Sequence, residues 1–339
     1  MTRVVDVHAH VLPRLLVEMA AAEQSRWGID FAEGEDGRFE YRVGGRWRPL
    51  LQQSDVYGES PDRRAGRMTR IGVDTQVLSL SPSFFLYLED RADALAYCSD
   101  LNDAVAGFVA AQPGRFLAFG MLPLEHPQAA ASELERVLGQ GFVGAVVGTH
   151  VNGKDWDHPT LTGVLEAAEA LGAAVFVHPA SVRPAELLAR HQLRNLVGNP
   201  LETTLAIASM VFGGVLDRFP GLRLGFAHGG GFGVFDSGRF DHGARARPEL
   251  DLIAAPSDYL RRMWFDCLTH DETALRFLID RVGADRIVLG SDDPADMGLA
   301  EPVSWLEGCS SLSPEEMSSI LSANPARWLN LDPIPPRTG

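Results

Sequence analysis

The stretch Asp6-Val-His-Ala-His10 carries two imidazoles two residues apart. On an extended strand the two-residue period places His8 and His10 on one side and Val7 and Ala9 on the other. Two neutral imidazoles facing one way make part of a site for zinc or a related ion, but two ligands do not hold it tightly. An isolated HxH is as often a pair of partly exposed histidines at a strand end, so the pattern needs support from elsewhere. His178 closes the run Val175-Phe-Val-His178, His228 closes Leu224-Gly-Phe-Ala-His228, and Asp292 follows Ile287-Val-Leu-Gly-Ser291. Three histidines and one carboxylate suit zinc or a similar borderline ion and leave positions open for water or substrate. His228 reads as a free acid–base group, with a fifth ligand or a buried, hydrogen-bonded histidine as its alternatives. The following Gly229-Gly230-Gly231 lets backbone approach a ligand closely. His150, in Gly148-Thr-His-Val-Asn152, and His270 are further pocket candidates with structural roles as the simpler reading; His126, His158, His191 and His242 read as surface histidines.

These residues need a scaffold that brings distant strand ends together. Short apolar runs at Val4–His8, Val73–Ser79, Phe116–Gly120, Gly144–Gly148, Ala174–His178, Leu222–His228, Met263–Cys267 and Arg286–Ser291 predict eight strands. Between them Gln128–Leu138, Leu161–Leu171 and Thr273–Val282 repeat apolar residues at the helical period. Alternation of this kind predicts an α/β fold, a closed (β/α)8 barrel of the TIM type, whose active site lies where the carboxyl ends of the strands meet. One barrel domain is expected over residues 1–332, with a polar, turn-rich insertion after the first strand at about 21–62 that overhangs the mouth. The segment 180–200 is expected at the mouth too, and 333–339 reads as a frayed tail.

With 339 residues, 45% of them hydrophobic, the chain can bury a large core. A formal net charge of −15 with dispersed arginines lacks the footprint of a nucleic-acid binder. Three distant cysteines form no CxxC pair, which argues against a disulfide framework or structural zinc cluster. No secretory leader or run of about 18 apolar residues is evident, so a cytoplasmic enzyme without membrane contact is expected.

The motifs Asp6-Val-His-Ala-His-Val-Leu-Pro13, Gly148-Thr-His-Val-Asn152, Phe176-Val-His-Pro179, Glu202-Thr-Thr-Leu-Ala-Ile207, Phe226-Ala-His-Gly-Gly-Gly231 and Leu289-Gly-Ser-Asp292 resemble the amidohydrolase-2 group of the amidohydrolase superfamily, and within it the branch of aminocarboxymuconate-semialdehyde decarboxylases. The resemblance covers most of the chain. It implies zinc, or manganese in its place, on His8, His10, His178 and Asp292, with His228 activating the water that the ion holds. The implied reaction is non-oxidative decarboxylation of a small unsaturated or aromatic carboxylic acid. The alternative on the same scaffold is a hydrolase or hydratase acting on a lactone, ester or enol acid. The resemblance also implies a homodimer in which Arg239 reaches the neighbouring subunit's site, and a substrate-binding arginine at Arg48, with Arg46 next to it. Where the branch carries pocket aromatics this chain has Ala180, Gln192, Asn195, Asp293 and Ala295, so Gln192, Asn195 and Asp293 are expected to contact a different acid from within a less aromatic pocket.

Overall fold

The apolar runs form strands because a parallel sheet covered on both faces takes continuous rather than alternating hydrophobic sequence. The computed structural model describes residues 3–34, 39–43, 46–49 and 58–331, and the tail expected beyond 332 lies outside them. The strands are β1 (Val5–Val11), β2 (Asp30–Glu33), β3 (Phe39–Val43), β4 (Arg46–Pro49), β5 (Thr75–Leu80), β6 (Phe116–Gly120), β7 (Gly144–Gly148), β8 (Ala174–His178), β9 (Arg223–Phe226), β10 (Trp264–Asp266) and β11 (Ile287–Val288). Among the described residues eight of them pair in parallel in the order β1-β5-β6-β7-β8-β9-β10-β11. The chain after β11 then returns to β1: Val7 N–H donates to Leu289 O at 2.9 Å, Asp292 N–H to His8 O at 2.8 Å, and His10 N–H to Asp293 O at 2.7 Å. The sheet is thereby a (β/α)8 barrel. β2, β3 and β4 pair antiparallel in a separate small sheet between β1 and β5.

The longer helices are α1 (Arg14–Ala21), α2 (Pro61–Arg70), α3 (Arg91–Ala110), α4 (Pro127–Gly139), α5 (Thr162–Ala170), α6 (Asn199–Phe212), α7 (Ser237–Ala246) and α8 (Glu272–Val282). Their starts are written locally: Ser60, Asp90 and Asp271 each accept a hydrogen bond from the backbone N–H three residues on, at the amino ends of α2, α3 and α8. α4, α5 and α8 fall where the periodicity predicts them. No helix among the described residues is long and apolar enough to cross a membrane.

The barrel strands serve two cores. One packs strands against the helices and includes Ala9, Val11, Ala145, Val175 and Leu224. The other fills the interior with Val5, Val7, Phe119, Phe176 and Trp264, floored by Trp328. Trp328 enters because Gly225 has no side chain: a Cβ there would stand 2.2 Å from the indole. Phe176 packs against both Trp328 and His8, at ring separations of 5.8 and 5.0 Å, so an aromatic floor lies under the first histidine. In β1 the register against β5 shifts between Asp6 and Ala9. An extra residue of this kind inverts the alternation, which explains why Val7 joins the interior core and Ala9 the outer one instead of both lying opposite the histidines. His8 and His10 nonetheless stay together, ring centres 5.1 Å apart.

Beneath this junction runs a buried polar network. The Arg64 guanidinium, fully buried on α2, donates to Gln76 Oε1 at 2.8 Å, to the His10 carbonyl at 2.8 Å and to Asp293 Oδ2 at 2.9 Å. Asp6 accepts from Gln76 Nε2 at 3.0 Å and from the Ser291 hydroxyl at 2.6 Å. Burial raises the Asp6 carboxyl to about 6 despite these donors. One arginine thus ties α2, β1, β5 and the chain after β11 together. Truncating it leaves Asp293 buried with less compensation, and breaking a buried pair costs about 3–5 kcal/mol. Arg64→Ala should lower the unfolding free energy by about that amount in urea denaturation; a loss under about 1 kcal/mol would show that the network does not carry the closure.

Candidate active site

The expected site residues arrive from four strands. His8 and His10 lie inside β1, His178 is the last residue of β8, His228 follows β9 by two residues, and Asp292 lies in the closing segment after β11. Both His228 and Asp292 have left-handed backbones, φ 55° and 58°, which turn their side chains out of the strand direction. His8, His178, His228 and Asp292 each offer a ligand atom, all within 4.8 Å of one another. His10 joins them, its Nε2 2.9 Å from Asp292 Oδ1 and its ring 4.9 Å from that of His178.

Three of the imidazoles have their protons assigned by their neighbours. His8 Nδ1 lies 2.7 Å from Asp266 Oδ2, a carboxylate that only accepts. His178 Nδ1 lies 2.8 Å from the Pro179 carbonyl oxygen, which also only accepts. His10 Nδ1 lies 2.9 Å from the Ser79 hydroxyl, whose own proton goes to the Ala9 carbonyl at 3.3 Å. Each ring therefore carries a proton on Nδ1 and turns Nε2 inward, where all three Nε2 atoms are buried and none makes a well-aligned hydrogen bond. Buried polar atoms are rarely left so, and outer partners that lock Nδ1–H are the usual accompaniment of metal-ligating histidines. Burial, then the neighbouring imidazoles, hold His178 well below the ordinary histidine range, so it is neutral. Burial opposes the charge on His8 too, but Asp292 and then Asp266 override it and raise that ring to about 10. Two carboxylates thus demand positive charge at this point. Three inward Nε2 atoms and the Asp292 carboxylate fit a divalent cation, which would meet that demand in place of the second His8 proton and bind the nitrogen lone pairs.

Asp266, at the end of β10, was not picked out by the sequence analysis. Its fully buried carboxylate accepts from His8 Nδ1, from the backbone N–H groups of His228 at 2.9 Å and Gly229 at 2.8 Å, and from Leu268 N–H at 3.2 Å. It joins the first histidine to the loop that carries His228. The available signal was its position, a carboxylate one residue before the end of the predicted run Met263–Cys267.

A cleft of about 1430 Å3 opens over the cluster and reaches His10, His178, His228 and Asp292. Gln192, Asn195, Ala180 and Ala295 line it, as the sequence analysis expects. Asp293 is not among the lining residues: its backbone continues the pairing with β1, and its carboxylate is held by Arg64 and Arg67. Aromatic rings also line the cleft from other segments: Trp47, Phe85, Phe232, Phe235 and Phe277. Arg239 is exposed on α7 and is not among the residues lining its own chain's cleft. Arg48 pairs with Tyr41 across β3 and β4, and its side chain lies outside the described residues, as does that of Arg46.

Comparison with known proteins agrees with this geometry. The chain is 36% identical over 333 residues to the 2-amino-3-carboxymuconate-6-semialdehyde decarboxylase of Dictyostelium discoideum, covering 97% of this chain and 92% of that protein. It is 28% identical over 270 residues to the gamma-resorcylate decarboxylase of Polaromonas sp. JS666, covering 74% and 81%. Among solved structures, 5-carboxyvanillate decarboxylase from Sphingomonas paucimobilis superposes with a TM-score of 0.84 at 24% identity over 98% of this chain and all of that one. Dihydroxybenzoic acid decarboxylase from Polaromonas sp. JS666, with bound manganese and the inhibitor 2-nitroresorcinol, does so with 0.80 at 23%, over 97% of each chain. The amidohydrolase family model matches residues 5–331, and the chain belongs to that family.

Proposed function

We propose that this protein is a divalent-metal-dependent, non-oxidative decarboxylase of a small unsaturated or aromatic carboxylic acid. The observation that carries the reading is the set of three histidines, locked at Nδ1, whose inward Nε2 atoms converge with Asp292 at the base of a cleft, in a chain whose relatives are decarboxylases. His8, His10, His178 and Asp292 are the proposed ligands, and zinc or manganese the proposed ion. When bound, the ion polarises the acid's oxygens and offsets the negative charge that develops as the bond to the departing CO2 breaks. The electron pair of that bond stays on the substrate carbon, which must then take a proton. His228 is placed for this: its side chain is 19% exposed, between the buried cluster and the open cleft, with Nε2 3.6 Å from Asp292 Oδ2. Its backbone is pinned by Asp266, so the imidazole has a set position from which to hold and deliver a proton. The aromatic walls of the cleft stack with a planar acid and keep water from the reacting carbon.

The homodimer reading rests on Arg239 standing exposed and away from its own cleft, one helical turn after Phe235, which is 74% exposed. An apolar ring beside a cation that has no ion-pair partner among the described residues suits contact with a second copy.

Metal-loaded protein offered dihydroxybenzoates and carboxymuconate semialdehydes should release CO2; gain of water without CO2 would favour a hydrolase or hydratase. Asp292→Ala should lose metal and activity together, whereas His228→Ala should keep its metal and lose at least a hundredfold in kcat; equal metal loss in both, measured by elemental analysis, would make His228 a ligand. Asp266→Ala should weaken metal affinity about 10- to 100-fold, read by competition with a chelator, and an unchanged affinity would leave Asp266 no part in holding His8. Hybrid dimers of inactive Arg239→Ala and His228→Ala chains should regain activity, and verified hybrids without recovery would rule out a shared site.

A further inference from the structure

Beside the large cleft lies a side pocket of about 420 Å3 with walls that include Trp27, Phe85, Tyr87 and Leu88. The two spaces share Phe85, Leu86, Ala180 and Ser181, so the side pocket opens from the same mouth as the cleft over the histidine cluster. At the junction the Ser181 hydroxyl stands 2.9 Å from His150 Nε2. His150 Nδ1 is committed, because Gly153 N–H donates to it at 3.1 Å. Burial, then the Arg183 charge, push His150 below the ordinary range, so the ring is neutral and carries its single proton on Nε2. That proton is directed at Ser181, whose Oγ and backbone carbonyl both stand as acceptors. Ser181 therefore acts as acceptor toward His150, and no described residue accepts its own hydroxyl proton.

The same bookkeeping excludes a serine nucleophile. A protonated Nε2 cannot remove the Ser181 proton, and Glu202 lies 3.9 Å from that nitrogen, not at Nδ1 where an orienting carboxylate belongs. Glu202 is taken up by Arg183, whose backbone N–H and guanidinium donate to it at 2.7 and 2.9 Å. What remains is a directed donor at the edge of an apolar slot.

We propose that Ser181, oriented by His150, is a specificity-determining donor that recognises a hydrogen-bond acceptor on an arm of the substrate acid seated in the side pocket. The ligand class is a planar acid bearing, away from the departing carboxyl, a carbonyl or similar acceptor on an apolar body. His150 is a positioning residue that acts through Ser181. The inference rests on the decarboxylase reading above.

Two probes separate the two ideas: 2-hydroxybenzoate, without the arm, and 5-acetyl-2-hydroxybenzoate, with it, titrated by calorimetry into metal-loaded His228→Ala protein, which on the reading above binds acids without turning them over, and into the same protein with native His228. The native protein should favour the acetyl compound, and Ser181→Ala should weaken it about three- to tenfold, the worth of one neutral hydrogen bond, while changing 2-hydroxybenzoate less than twofold. His150→Leu should lose the same preference with metal content and Tm unchanged, and His150→Gln, which keeps a donor, should restore part of it. A native preference absent from the start, or one that survives in Ser181→Ala, overturns the subsite and leaves the decarboxylase reading standing. Failure of both acids to bind native protein overturns the subsite, while the decarboxylase reading falls separately if no acid offered to the metal-loaded protein releases CO2.

Discussion

Removing the Asp266 carboxylate from water costs several kcal/mol unless its oxygens are filled and its charge is met. Four donors fill them, one from the His8 ring and three from the backbone of the loops after β9 and β10. Those donors come from elements far apart in the chain, so meeting the cost of one buried charge also fixes the relative positions of β1, β9 and β10. Gly229 can take its place in this arrangement because its backbone sits at φ 59°, a conformation most side chains resist. The orientation of His8, the placing of His228 and the closeness of the histidine rings all follow from it.

A second tier repeats the logic with opposite sign. Arg64 is buried without exposure, and its guanidinium is met by Asp293, by Gln76 and by a backbone carbonyl of β1. The tier lies where the chain after β11 closes onto β1 through a few backbone hydrogen bonds, on the strand whose other edge, against β5, carries the shifted register. Side-chain bonds thus reinforce the ring where its backbone ladder is least regular. Because the metal-type ligands of β1 and Asp292 lie directly on this junction, the geometry of the site and the closure of the barrel are one problem solved once.

The cleft above has a different character. Its lower end is a set of polar atoms with assigned protons, and its walls are aromatic rings contributed by loops. Such a division, rigid polar chemistry from strand ends and adaptable apolar contact from loops, is how a barrel changes its substrate without changing its reaction. Ser181 and His150 sit between the two parts, close in the chain to His178 and to the end of β7 yet facing a side pocket of their own.

The parts legible from sequence were those with a short-range cause. Apolar runs gave the barrel strands within a few residues, helical periodicity gave α4, α5 and α8, and the position of His178, His228 and Asp292 at the ends of runs was enough to suggest that they meet. Whatever depended on contacts between distant segments was not legible. The strict alternation read into β1 missed the register shift, since a bulge is set by the neighbouring strand and not by the strand itself. Asp293 read as a pocket carboxylate because nothing local shows that Arg64 and Arg67, more than 200 residues earlier, claim it. Asp266 passed unnoticed for the same reason, its partners being His8 and a loop after another strand. By itself the sequence determined which residue types stand at the strand ends, because hydrophobic patterning is local; only the tertiary structure decided which of them hold protons, pair charges or stay bare, because hydrogen bonds and buried charges are settled between segments that the chain keeps far apart.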